Sequence, residues 1–128
     1  MIRVADALAT LAALMGAAGV AIAALGEHAG GGDLATTASM FLVLHAAALL
    51  GASAHARQRP RPRVLLIGGF ALAIGTIVFS ADLATRAFSG ARLFPFAAPI
   101  GGSLMILSWL LLAIVFNYSA TRAADQFP

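Results

Sequence analysis

The chain has 128 residues, 61% of them apolar and 10% charged, a composition far from that of soluble globular domains and one in which a bilayer replaces water as the solvent. Its net charge of +3 carries eight arginines and no lysine, and cysteine is absent, which excludes thiolate metal sites, redox dithiols and disulfides. A soluble catalytic domain does not fit beside the membrane spans, and four of the eight arginines share one short loop, so the charge reads as topology and not as a nucleic-acid surface.

A bilayer core about 30 Å thick takes roughly 20 apolar residues per helix. The apolar runs predict four spans, over about 5–25, 37–54, 64–83 and 97–118. Together they form one all-α membrane domain over 1–128, a membrane-embedded four-helix transmembrane bundle. The apolar run of the first span exceeds the 7 to 15 residues of a signal-peptide core, so it is expected to be retained. Small residues let membrane helices approach closely, and Ala5, Ala9, Ala13, Ala17 and Ala21 recur at every fourth position, flanked by Ala12, Gly16, Val20 and Ala24. That stripe is the expected packing face. A glycine-rich acidic loop follows from Gly26 to Thr36, carrying Glu27, His28 and Asp33. Those three side chains offer only a weak metal site, without the sharp spacing that ligands on one element show, and no metal is expected.

The second span contains the sharpest anomaly, His45, since an ionisable group inside a bilayer is costly and faces the bundle interior or a polar cavity. Helical spacing sets it on a face with Thr37, Phe41, Ala48 and Ala52, suited to packing on another helix. Its plain role is a neutral imidazole bonded to a neighbour. Its functional alternatives are a haem or quinone ligand or a proton carrier. The span also offers Ala47 with Gly51 for close approach. The next loop, His55 to Arg63, alternates proline with Arg57, Arg59, Arg61 and Arg63; Pro60 and Pro62 keep it extended, and its charge favours anionic headgroups.

The third span pairs Gly69 with Ala73 and Ala71 with Gly75 as small-residue contacts. Toward its far end Asp82 and Arg86 stand four apart, a spacing that lets them pair along one helix face, and Arg92 and Pro95 follow in the third loop. With Glu27, His28 and Asp33 they form an outer-face polar cluster. Pro99, Gly101 and Gly102 open the fourth span, where proline's missing N–H has no helical partner to lose and the glycine pair admits another backbone. Trp109 lies near the middle of this span, away from the interfacial belts that tryptophan favours, so its indole N–H needs a partner. Counting about 1.5 Å per residue sets His45 and Trp109 within roughly one helical turn in depth, close enough to touch.

Arg3, Arg122 and the four loop arginines lie on one side, against Arg86 and Arg92 on the other. The positive-inside rule then predicts cytoplasmic termini and a cytoplasmic second loop.

Four ordered motifs resemble those of a known family: Gly26-Glu27-His28, His45-Ala46-Ala47-Ala48-Leu49-Leu50, Phe79-Ser80, and Ala98-Pro99-Ile100-Gly101-Gly102 with Ser108-Trp109. They are similar to the YgdD-like small membrane proteins, domain-of-unknown-function family 423, over about Leu14 to Phe116. The resemblance implies four helices and a bacterial inner membrane, multi-pass. Glu27 stands where the family motif has a small residue, and Ala81, Asp82 and Ala84 replace the glycine, second serine and tyrosine of its third motif.

The functional expectation is a non-catalytic interaction or accessory component of a membrane complex, with the lipid bilayer, other membrane subunits or a second copy as partners, and no nucleic acid. A second reading is a hydrophobic-ligand protein, holding quinone or haem through His45, Trp109 and His28. The residues name no particular cofactor. His28 lies at the boundary and His45 about 12 Å into its span, too far apart in depth for one iron. A third reading is a small oligomeric transporter or channel, since one bundle encloses little volume.

Overall fold

A computed structural model of the protein describes residues 1–124, with side chains through Tyr118. It contains four helices: α1 (Ile2–Ala29), α2 (Gly32–Arg57), α3 (Arg63–Ser89) and α4 (Ala97–Ala124). All four are long and apolar enough to cross a membrane, the form in which a chain satisfies every backbone N–H and C=O internally. Arg122, expected to share the basic face, lies outside the residues whose side chains are described.

The helices outrun the apolar runs at nearly every end. At 28 residues, α1 is about 42 Å long, more than a hydrocarbon core of about 30 Å. The glycine-rich acidic loop expected from Gly26 to Thr36 is therefore mostly helix: Glu27 and His28 finish α1, Asp33 opens α2, and only Gly30 and Gly31 connect them. Continuing the helix keeps backbone bonds that an open loop would give up to the interface. Gly30 stops α1 in the left-handed region at φ 71°, where a side chain would be strained. The arginine loop contracts for the same reason, with Arg57 ending α2 and Arg63 beginning α3.

The chain runs up, down, up and down, with α3 at the centre. It touches α1, α2 and α4, whereas among the described residues α4 has a close backbone neighbour only in α3. On α1 the packing face is Ala5, Leu8, Ala12, Met15 and Gly19, not the expected alanine stripe, of which Ala13, Ala17 and Ala21 are exposed. The face is chosen by large side chains entering gaps left by glycine. Leu8 fills the space over Gly69, where an added Cβ would come within 2.7 Å of its Cδ2. Gly19 receives Val43 of α2, whose Cγ2 lies 2.7 Å from the corresponding point. The expected pair Ala47 and Gly51 is exposed, and nothing approaches Gly51.

The closest approach joins α3 to α4. A Cβ on Gly101 would stand 2.6 Å from the Phe79 nitrogen and 2.7 Å from the Gly75 carbonyl oxygen, and one on Gly75 would stand 2.9 Å from the Gly101 carbonyl oxygen. Backbone faces backbone here, so nothing flexible can yield. Gly102, beside it, would meet only Phe79 Cδ2 at 3.8 Å. Gly101→Ala is expected to lower the unfolding free energy in mixed micelles by about 1–3 kcal/mol through overpacking, while Gly102→Ala is neutral or slightly stabilising.

Candidate functional site

His45 belongs to α2 and Trp109 to α4, and the structure brings them together. The Trp109 Nε1–H donates to His45 Nε2 at 3.3 Å, with the ring centroids 6.0 Å apart. On the other side of the imidazole, His45 Nδ1 lies 2.8 Å from the carbonyl oxygen of Phe41, one turn earlier. A carbonyl only accepts and an indole N–H only donates. Nδ1 therefore carries the hydrogen and Nε2 presents its lone pair, which is the arrangement of a neutral imidazole with both nitrogens in use.

The rings extend this contact into a path across three helices. Phe41 stacks on His45 at 5.6 Å with the planes 15° apart, and Phe41 meets Phe79 of α3 at 4.8 Å. Aromatic pairs of this kind contribute about 0.5–1.5 kcal/mol each beyond the area they bury. Nearer the basic end, His55 meets Phe116 of α4 edge-on at 5.2 Å. Side chains alone thus span the gap between α2 and α4, and Trp109 is still 45% exposed. The result is a seam, floored by α3 and open along the membrane plane.

The remaining sequence candidates separate. His28 lies exposed in the last turn of α1 and joins neither His45 nor Trp109. Of the outer-face cluster, Glu27, Asp33 and Arg92 are exposed and make no ion pair among the described residues. Asp82 is 1% exposed. Its Oδ1 accepts the Leu93 N–H at 2.9 Å, tying the third loop to α3, and Arg86 reaches its Oδ2 at 3.8 Å. Asp82 therefore works as an anchor for the turn into α4, where Phe96 adopts φ 64°, a left-handed conformation that costs a non-glycine residue about 1–3 kcal/mol.

Among the loop arginines, Arg57 pairs with Asp6 of α1 at 2.7 Å, so it is shared between that carboxylate and any headgroup. Both partners are about half exposed, and such a pair adds little stability. Arg61 and Arg63 are exposed, while Arg59 is half-buried.

Three contributors escape a reading of the sequence. Asp6 is one. Ser53 is another: buried at 1% exposure, it donates across helices to the Ala5 carbonyl at 2.6 Å and locks α1 to α2. The third is His55, whose Nε2 is buried without a hydrogen-bond partner. Each sits near a helix end, where polar residues are common and spacing gives no warning.

A family model described as "Protein of unknown function (DUF423)" matches residues 16–102. The matched stretch contains His45, Phe79, Ser80, Gly75 and Gly101 and ends before Trp109, short of the reach to Phe116 that the motifs implied. No solved structure matches the chain.

The His45–Trp109 bond predicts energetic coupling between α2 and α4. In a cycle of His45→Ala and Trp109→Phe, read by reversible unfolding in mixed micelles, the interaction energy is expected at about 0.6 kcal/mol, with about 1.7 as the upper range for interhelical bonds. Additive losses would mean that the two side chains act separately.

Proposed function

Because the chain belongs to the DUF423 family, described as proteins of unknown function, its own geometry has to supply the role, and we propose a non-catalytic accessory component of a membrane complex. The observation that carries this reading is the α2–α4 seam. Among the described residues the two helices have no close backbone contact, yet they hold a polar His–Trp pair in the middle of two apolar spans, with Trp109 45% exposed. A transmembrane helix from a partner subunit, laid in the seam, would cover that pair and give α4 a second neighbour. Small residues at its rim, Ala48 and Ala113, leave room for a close approach.

The imidazole supports an interaction role over cofactor chemistry. A haem iron needs an imidazole nitrogen free of other partners, and here Nε2 is taken by the Trp109 N–H, while the Nδ1 contact with Phe41 suits a ligand and a structural tie alike. Loading His45 with a metal would first break the bond that joins α4 to α2.

The proposed setting is a bacterial inner membrane with both termini in the cytoplasm. Arg57, Arg59, Arg61 and Arg63 lie at the same end of the bundle as the N-terminus, joined to it through Asp6, and a basic loop beside the termini favours the cytoplasmic side. Anionic headgroups are the proposed neighbours of Arg61 and Arg63.

A photo-crosslinking residue at Ile106, on the exposed flank of the seam, tests the proposal in native membranes. The expected product is a single heterologous membrane protein that is no longer captured once Ala113→Trp fills the seam. Deleting that partner is expected to lower the abundance of this chain severalfold. A self-adduct, or unchanged abundance without the captured protein, would contradict an accessory role.

A further inference from the structure

On the side of α3 away from the seam, α1 and α3 diverge and leave a cleft of about 280 Å³. Ile77, Ser80 and Ala81 of α3 face Leu11, Met15 and Ala18 of α1 across it. Gly75 and Phe79, which meet α4, point the opposite way around α3 by helical spacing, so the two features are independent. The cleft opens laterally, where the surrounding medium is the bilayer interior.

One polar group interrupts its apolar lining. The comparably buried hydroxyls each reach a carbonyl: Thr76 donates to Leu72 at 2.8 Å, Ser108 to Leu104 at 2.7 Å and Ser53 to Ala5 at 2.6 Å. Ser80 is equally buried, at 1% exposure, but its Oγ has no hydrogen-bond partner. An unpaired buried hydroxyl costs about 1–3 kcal/mol; the Ser80 Oγ lies covered beneath the cleft wall, and an acceptor entering the cleft would recover that cost by drawing the hydroxyl out to meet it.

We infer that the α1–α3 cleft binds an uncharged, membrane-dissolved ring bearing a carbonyl, of the quinone class, with the Ser80 hydroxyl donating to that carbonyl. Three features select this chemistry. The apolar walls exclude a charged head group, since no ionic side chain lines the cleft to meet it. Depth excludes the ester of an ordinary phospholipid: Ser80 lies about 13 Å along the axis from the Ser89 end of α3, within the hydrocarbon and below the level of glycerol esters. Size fits a ring with a short length of tail, since about 280 Å³ falls at the small end of ligand pockets. Met15 adds a thioether, a side chain that packs favourably on aromatic-like rings. The inference concerns binding, not turnover, and stands apart from the accessory role.

The test uses the full chain in nanodiscs of defined phosphatidylcholine, with decylubiquinone as probe and an alkane of matched length as control, reading thermal unfolding and the quinone retained after washing. Wild type is expected to be stabilised by decylubiquinone and not by the alkane. Ser80→Ala should bind about fivefold more weakly, the worth of one neutral hydrogen bond, and Ser80→Thr should keep near-normal binding. Ala18→Trp, which fills the cleft, should abolish binding, whereas Ala13→Trp, on the opposite face of α1, should not. Equal retention by all variants would mean partition into the bilayer and would overturn the inference. Retention of a phospholipid in place of quinone, lost in Ala18→Trp, would overturn it in favour of a lipid chain.

Discussion

Leucine gains almost nothing by leaving lipid for another leucine, so a membrane bundle is held by close packing and by the polar bonds that close packing allows. The contact of Gly75 with Gly101 is the strongest expression of that constraint here. It sets α4 directly against the backbone of α3, at a separation no side chain could share. Leu8 over Gly69 and Val43 over Gly19 do the same work for α1. All of these contacts radiate from α3 or from the α1–α2 hairpin. Since α4 is drawn so tightly to one neighbour, it is held off the others, and the seam beside α2 follows from that geometry.

The polar groups follow the same logic. A hydroxyl or an imidazole inside a bilayer has no water to turn to, and the chain supplies partners one by one: Leu72 for Thr76, Ala5 for Ser53, Phe41 and Trp109 for His45. Three groups stand outside this pattern: His55 near the basic end, whose Nε2 is buried without a partner, Asp82 and Ser80. Asp82 keeps one oxygen for the third loop and offers the other only a distant arginine. Ser80 offers its hydroxyl to no protein atom. Of these, Ser80 borders the apolar α1–α3 cleft, and it marks the place for a ligand, just as the half-exposed Trp109 marks the place for a partner helix.

Much of the architecture is legible in the sequence because hydrocarbon thickness imposes its own length on apolar runs. The four spans follow from counting apolar residues, and the meeting of His45 with Trp109 from counting depth along spans two and four, which run the same way. The helix ends do not, since backbone bonding carries α1 through Glu27 and His28, past the point where hydropathy falls. The packing face of α1 is hidden for a different reason. With so much alanine, every face shows a small-residue stripe, and the true one is fixed by where Leu8 finds Gly69 and where Val43 finds Gly19. Pairings such as Ser53 with Ala5 are invisible to local spacing because their acceptor is a backbone carbonyl far away in the chain. The depth of Asp82 is likewise set by the third loop folding over it, which its own helix does not foretell.

Everything beside the seam turns on His45 being a fixed, neutral tie between α2 and α4. Nitrogen NMR of the protein labelled at histidine, in bilayers, tests it most directly. The expected spectrum has a hydrogen on Nδ1 and a bare, hydrogen-bonded Nε2, whose shift moves in Trp109→Phe as the indole donor is lost. Hydrogen on Nε2, on both nitrogens, or a spectrum indifferent to Trp109→Phe would contradict it.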